Sequence, residues 1–123
     1  MLRITKNSRL VLLVFGVIAP LVIPVSSEAA TPREVKRIVA SVAADTAVPP
    51  SMALAVASIE SGFRDDFESA AGARGVMQVT PEMAERHNVA PRQLWDARRN
   101  VELGLEILAG FFRTSSHEWH AAL

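Results

Sequence analysis

The chain has no cysteine and no tyrosine among its 123 residues, and only 6% of them are aromatic. Without cysteine there is neither a disulfide framework nor a thiolate to act as nucleophile or metal ligand. Basic and acidic side chains balance at 13 each. No basic surplus exists to neutralise a phosphate backbone, so nucleic acid is not an expected partner. No segment shows the period-two alternation of a half-buried strand, and neither an internal repeat nor a low-complexity tract is present. One long uncharged apolar stretch, Leu10 to Val25, stands near the start. At 16 residues, with Pro20 and Pro24 inside it, it is short for a membrane span, which needs about 20.

That stretch has the flanks of a secretory leader. Arg3, Lys6 and Arg9 precede it, and Ser27-Glu28-Ala29 follows with small residues at the two positions a signal peptidase reads. The expectation is a signal peptide over residues 1–29, cut after Ala29, and an exported, periplasmic or secreted domain over residues 30–123. A retained leader acting as membrane anchor is the alternative. Without the leader the chain keeps 10 basic and 12 acidic residues. A domain of that size without disulfides must be held by its core alone.

The remainder reads as helices. Thr31-Pro32-Arg33-Glu34 combines an N-cap, a proline at the first helical position and the glutamate of a capping box. Val35, Ile38, Val39 and Val42 give that helix one apolar face as far as about Ala44. Pro49-Pro50 starts the next, "SMALAVASIE" over residues 51–60, apolar almost all round and therefore expected to be buried. Ser61-Gly62 ends it, and residues 61–75 read as a structured loop. Thr80-Pro81 repeats the cap-plus-proline start for a short helix, "PEMAERH". After the connection "NVAPRQLWD", a last long helix is expected to begin near Asn100, with Val101, Leu105, Leu108 and Phe112 on one face. The predicted fold class is a mainly α, small helical domain.

Glu60 is the candidate for chemistry. A carboxylate in the last turn of a helix faces the negative end of the helix dipole. With Val56 and Ala57 one turn back, partial desolvation is also expected. Both effects favour a carboxyl that holds its proton, as a general acid must. A lone glutamate at a fraying helix end more often turns to solvent, so the loop that follows carries the weight. Gly72 and Gly75 allow loop conformations that other residues resist. Ser61, Ser69 and Gln78 supply short polar groups able to orient a carboxylate or meet sugar hydroxyls; the alternatives are that Ser61 ends the helix through its side chain and that Gln78 caps the helix that follows. Met77 is a candidate to pack a sugar ring, and core filling is its bland alternative.

The run Ile59–Pro81 resembles the catalytic segment of the soluble-type lytic transglycosylases, relatives of goose-type lysozyme. The resemblance rests on Glu60-Ser61, on Phe63, on Ser69 eight residues after Ser61, on Gly72-Ala73-Arg74-Gly75, and on Gly75-Val76-Met77-Gln78-Val79-Thr80-Pro81. Asn100, Gly104 and Leu108 resemble the family's later helix. Asp65 and Phe67 depart from its usual residues, at positions expected on the loop surface. The resemblance spans about Ser41 to Leu123. It implies a lysozyme-like helical domain that is incomplete at its C-terminal end, because the family continues into an Ala-Tyr-Asn turn and this chain has no tyrosine.

Membership implies cleavage of the β-1,4 bond between N-acetylmuramic acid and N-acetylglucosamine in peptidoglycan. Glu60 would protonate the leaving oxygen. Its carboxylate would then take the proton of the muramoyl 6-hydroxyl as that oxygen closes on C1, giving a 1,6-anhydro product. Ordinary glycosidases use two carboxylates. Asp65, Asp66 and Glu68 therefore keep a lysozyme-type hydrolase as an alternative, although a solvated loop face is the simpler reading of the three. A non-catalytic peptidoglycan-binding fragment is the alternative outside enzymology. Small exported proteins with only this domain resemble those that open the wall for type III or type IV secretion or conjugation machines. His117-Glu118-Trp119-His120 is one residue short of a zincin motif, and neither metal nor cofactor is expected.

Overall fold

A computed structural model describes the backbone of residues 28–121 and the side chains of residues 28–116. Residues 1–27, which hold most of the expected leader, and the side chains of His117, Glu118, Trp119 and His120 lie outside the described residues. Among the described residues there are four α-helices, one 3-10 helix and no strand. No described helix is long and apolar enough to cross a membrane.

Helix α1, Pro32–Ala44, forms as its sequence dictates. The Thr31 hydroxyl accepts from the Glu34 backbone N–H, and the Glu34 carboxylate accepts from the Thr31 N–H at 2.8 Å, completing the capping box. Val35, Val39 and Val42 are buried and Ile38 is half-buried, the face that the spacing predicts. Helix α2, Pro50–Ser61, packs on α1. Only Ala53, Ala57 and Ser61 are buried on it, a stripe at four-residue spacing whose small side chains let the two backbones approach. This corrects the expectation of a helix buried all round: Met52 is exposed and Ile59 is 83% exposed. Leu54 and Val56 are half-buried against the same core, and Met52 and Ile59 lie outside it.

Helix α3, Pro81–Arg86, is capped by the Thr80 hydroxyl, which accepts from Met83 N–H. The connection after it is partly regular, a 3-10 helix over Pro91–Trp95 that packs on α3 and on the last helix. That last helix, α4, runs Ala97–Ala121. It begins three residues before the expected Asn100, because Asp96 acts as the cap: its carboxylate accepts from Arg99 N–H at 2.8 Å. Val101 and Leu105 are fully buried, but Leu108 is only half-buried and Phe112 is 47% exposed. The apolar face of α4 therefore outruns the core that covers it. Helices α1 and α4 pack together, and Val76, Met77, Val79 and Leu94 complete the core between them.

Candidate active site

Helix α2 ends at Gly62, which adopts the left-handed conformation and returns its N–H to Ser58 C=O. Glu60 lies in that last turn and is exposed. The desolvation expected from Val56 and Ala57 is absent: Glu60 is exposed, and Val56 is itself only half-buried. What remains of the expectation is the position at the negative end of the helix.

The neighbouring Ser61 is buried. Its hydroxyl donates to Val76 C=O at 2.8 Å, stands 3.3 Å from Ala57 C=O, and accepts from Arg64 N–H. The hydroxyl expected to orient substrate is thus engaged with the scaffold. The Val76 bond ties the helix end that bears Glu60 to the Gly75–Val79 turn, 15 residues on.

That turn is held from several sides. Arg74 and Val79 exchange both backbone hydrogen bonds, and Gly75 N–H donates to Phe67 C=O at 2.8 Å. Gly75 has φ +72°, and a Cβ there would stand 2.5 Å from Asn100 Nδ2 and 2.6 Å from the Leu94 carbonyl oxygen. Both the conformation and the close approach require glycine. Gln78 takes φ +53° without being glycine. Its side-chain Nε2 donates to Phe67 C=O and Gly75 C=O, bonds that hold the strained backbone and leave the amide oxygen for other partners. Ser69 and Gly72 close a separate turn. Gly72, at φ +85°, donates its N–H to Ser69 C=O, and the Ser69 hydroxyl accepts from Ala73 N–H.

Asn100 is the residue whose role the sequence concealed. It is fully buried and makes three hydrogen bonds: Oδ1 accepts from Met77 N–H at 2.7 Å, and Nδ2 donates to Arg74 C=O at 2.8 Å and Leu94 C=O at 3.0 Å. It is not a helix opener but a clamp that fastens the turn to α4. A polar residue four places before Gly104, in the register of the buried face, was the available signal. Met77 is buried and packs on Gly104, where a Cβ would stand 2.5 Å from its own Cβ. Its main part is core rather than sugar platform. With Gln78, Val79, Thr80, Met83 and Ile107 it lines a hollow of about 180 Å³. That is below the usual range of ligand pockets and suits a single ring or substituent.

The acids of the loop are not simply a solvated face. Asp66 and Glu68 are exposed and stand 3.6 and 3.5 Å from Arg64 and Arg74. Asp65 is half-buried, contrary to its expected surface position, and its Oδ2 accepts from Ala30 N–H at 2.9 Å. Phe67 is likewise half-buried, with the Arg64 guanidinium 5.1 Å from its ring centre. Among the described residues no cluster of His, Cys, Asp or Glu could hold a metal ion.

No curated protein and no solved structure matches the chain. The family model described as "Transglycosylase SLT domain" matches residues 38–123. That span contains α2, Glu60, the clamped turn and α4. The chain therefore belongs to the transglycosylase SLT domain family, a lysozyme-like family of lytic-transglycosylase type directed at peptidoglycan.

Proposed function

We propose that this protein is an exported lytic transglycosylase that cuts the β-1,4 bond between N-acetylmuramic acid and N-acetylglucosamine and leaves 1,6-anhydro-muramic ends. The supporting observation is the Ser61–Val76 hydrogen bond, which fastens an exposed Glu60 beside the Gly75–Val79 turn. Glu60 gives its proton to the leaving glycosidic oxygen. The resulting carboxylate takes the proton of the 6-hydroxyl as that oxygen closes on C1, so one carboxylate serves both steps. In the free chain water reaches Glu60. A bound glycan would displace that water from around the carboxyl. Gln78, through its amide oxygen, and the hollow beside Met77 are the sugar contacts of this proposal, with Ser69 at the far turn.

The state of the other acids supports a single catalytic carboxylate. A second one would have to come from Asp65, Asp66 or Glu68. Asp65 is turned to Ala30, and the other two stand near arginines. A secretion or conjugation machine as the client enters this proposal by likeness to small single-domain wall-opening proteins alone.

The test is digestion of purified peptidoglycan by the exported protein, with muropeptides analysed by mass spectrometry. Products one water lighter than reducing sugars are expected, and Glu60→Gln should release them at least about 100-fold more slowly while unfolding unchanged. Reducing-end products would transfer the activity to a lysozyme-type hydrolase. No release by a folded protein would leave a glycan-binding fragment and end the enzymatic reading.

A further inference from the structure

Asp65 presents a problem that the glycan reading leaves unsolved. One of its carboxylate oxygens, Oδ2, accepts a single N–H from Ala30. The other, Oδ1, is buried and has no hydrogen-bond partner among the described residues. A buried carboxylate oxygen without a donor has lost its hydration and gained nothing in return. The missing donor should be a cation or an N–H at the same place, and a backbone amide at Ala30 has only one hydrogen to give.

Ala30 is also the first residue after Ser27-Glu28-Ala29, the small-x-small triplet that follows the apolar stretch. We propose that the chain is processed between Ala29 and Ala30 and that the new α-ammonium of Ala30 docks on Asp65. A peptidase of the signal-cleaving class and one water hydrolyse the bond. Ala29 leaves with the carboxylate, which takes the oxygen of the water, and the released nitrogen keeps its one hydrogen and takes both protons of the water to become an ammonium. The single N–H at 2.9 Å from Oδ2 becomes a group with three donors, able to serve Oδ1 as well.

The surroundings accommodate that charge. Glu28, Ala29, Asp65, Asp66 and Trp95 line one hollow of about 250 Å³, so removal of the first two opens it around the new terminus. The positive end of the α1 dipole opposes an ammonium at that place, and nearby carboxylates must offset it. Asp65 on one side and Glu34, bonded to Thr31 N–H, on the other supply the opposing charge. Asp65 lies five residues after Glu60, so the pair fastens the start of the site loop to α1, where Lys36 already sits 4.8 Å from the Phe63 ring centre. Processing would thereby tighten the loop that carries the candidate chemistry.

The experiment is expression of the full chain in an exporting bacterial host, followed by intact-mass measurement of the purified product. A mass beginning at Ala30 is expected. A retained leader or a different first residue overturns the proposal. The α-amine is then acylated near neutral pH and the N-terminal peptide quantified. Labelling of the folded protein should be about tenfold slower than of the same protein in denaturant, as expected for an amine kept protonated by a neighbouring carboxylate. Asp65→Asn should restore most of the rate. Equal labelling of folded and unfolded wild-type protein overturns the docking even if Asp65→Asn fails to fold. None of these readouts uses glycan cleavage, so they stand or fall apart from the proposed activity.

Discussion

Helix α1 and the loop from Ser61 to Val79 are built on opposite plans. Helix α1 is self-contained at its start. The cap, the proline and the glutamate that closes the capping box all lie within four consecutive residues, and the bonds they make are exposed. The loop is nearly the reverse. Its turns have local bonds of their own, but they are placed by Ser61, which reaches Val76, and by Asn100, which reaches Arg74 and Met77 from a helix 23 or more residues away. Local capping gives a small, additive and salt- or pH-sensitive stabilisation, whereas buried polar clamps are large and all-or-none.

The sharpest way to break that contrast is Asn100→Ala. It leaves Met77 N–H and the carbonyls of Arg74 and Leu94 buried without their present partner, and should destabilise the chain by about 3–5 kcal/mol. Denaturant titration measures the loss, and hydrogen exchange at Met77 N–H should accelerate most. A loss below about 1 kcal/mol would mean that water or a shift of the turn replaces the clamp.

Gly75→Ala attacks the same place from the other side. The added methyl would meet the Leu94 carbonyl and the Asn100 amide and would force a φ of +72° on alanine. A cost of about 2–4 kcal/mol is expected from strain plus displacement. The double variant with Asn100→Ala should cost less than the sum, since each already releases the turn. Additive losses would show that the two residues act independently.

Changes at α1 should be smaller and local. Thr31→Ala removes one cap bond and should cost about 1 kcal/mol, without altering exchange at Met77 N–H. Glu34 adds a pH dependence. The hydrogen bonds it accepts from the Thr31 side chain and backbone hold its carboxyl below the ordinary value. A lowered folded-state value means that the contribution is present above the unfolded value and lost as pH falls through the folded one. Glu34→Gln, which can still accept from Thr31 but carries no charge, should flatten the part of the acid limb just below pH 4.5 by lowering stability slightly at neutral pH and leaving it unchanged in acid. An unaltered acid limb would remove Glu34 from the account.

Much of the helical architecture was legible because its signals are short-range. The Thr31 and Thr80 caps, the prolines after them, and the buried Val35, Val39 and Val42 face follow from neighbours within one or two turns. The site was legible only as a pattern of residues. The family resemblance singles out Glu60, Gly75 and Gln78, but the pattern does not say which groups are free. Ser61 looked like a substrate contact and is a buried tie. Met77 could be sugar platform or core filling, and its burial fits the second. Asp65 looked like loop surface and receives Ala30.

The same division holds for α2. Its composition alone describes an apolar helix, and composition cannot tell which side a neighbour will cover. Helix α1 covers the alanine stripe and leaves Met52 and Ile59 outside, with Glu60 in water at the end. Where each helix begins was thus decided mainly by the residues at its own ends, through hydrogen bonds that need no distant partner. Which polar groups are engaged, which carboxylate is open and which apolar faces are covered was decided by the tertiary structure, because those properties belong to pairs of segments far apart in the chain.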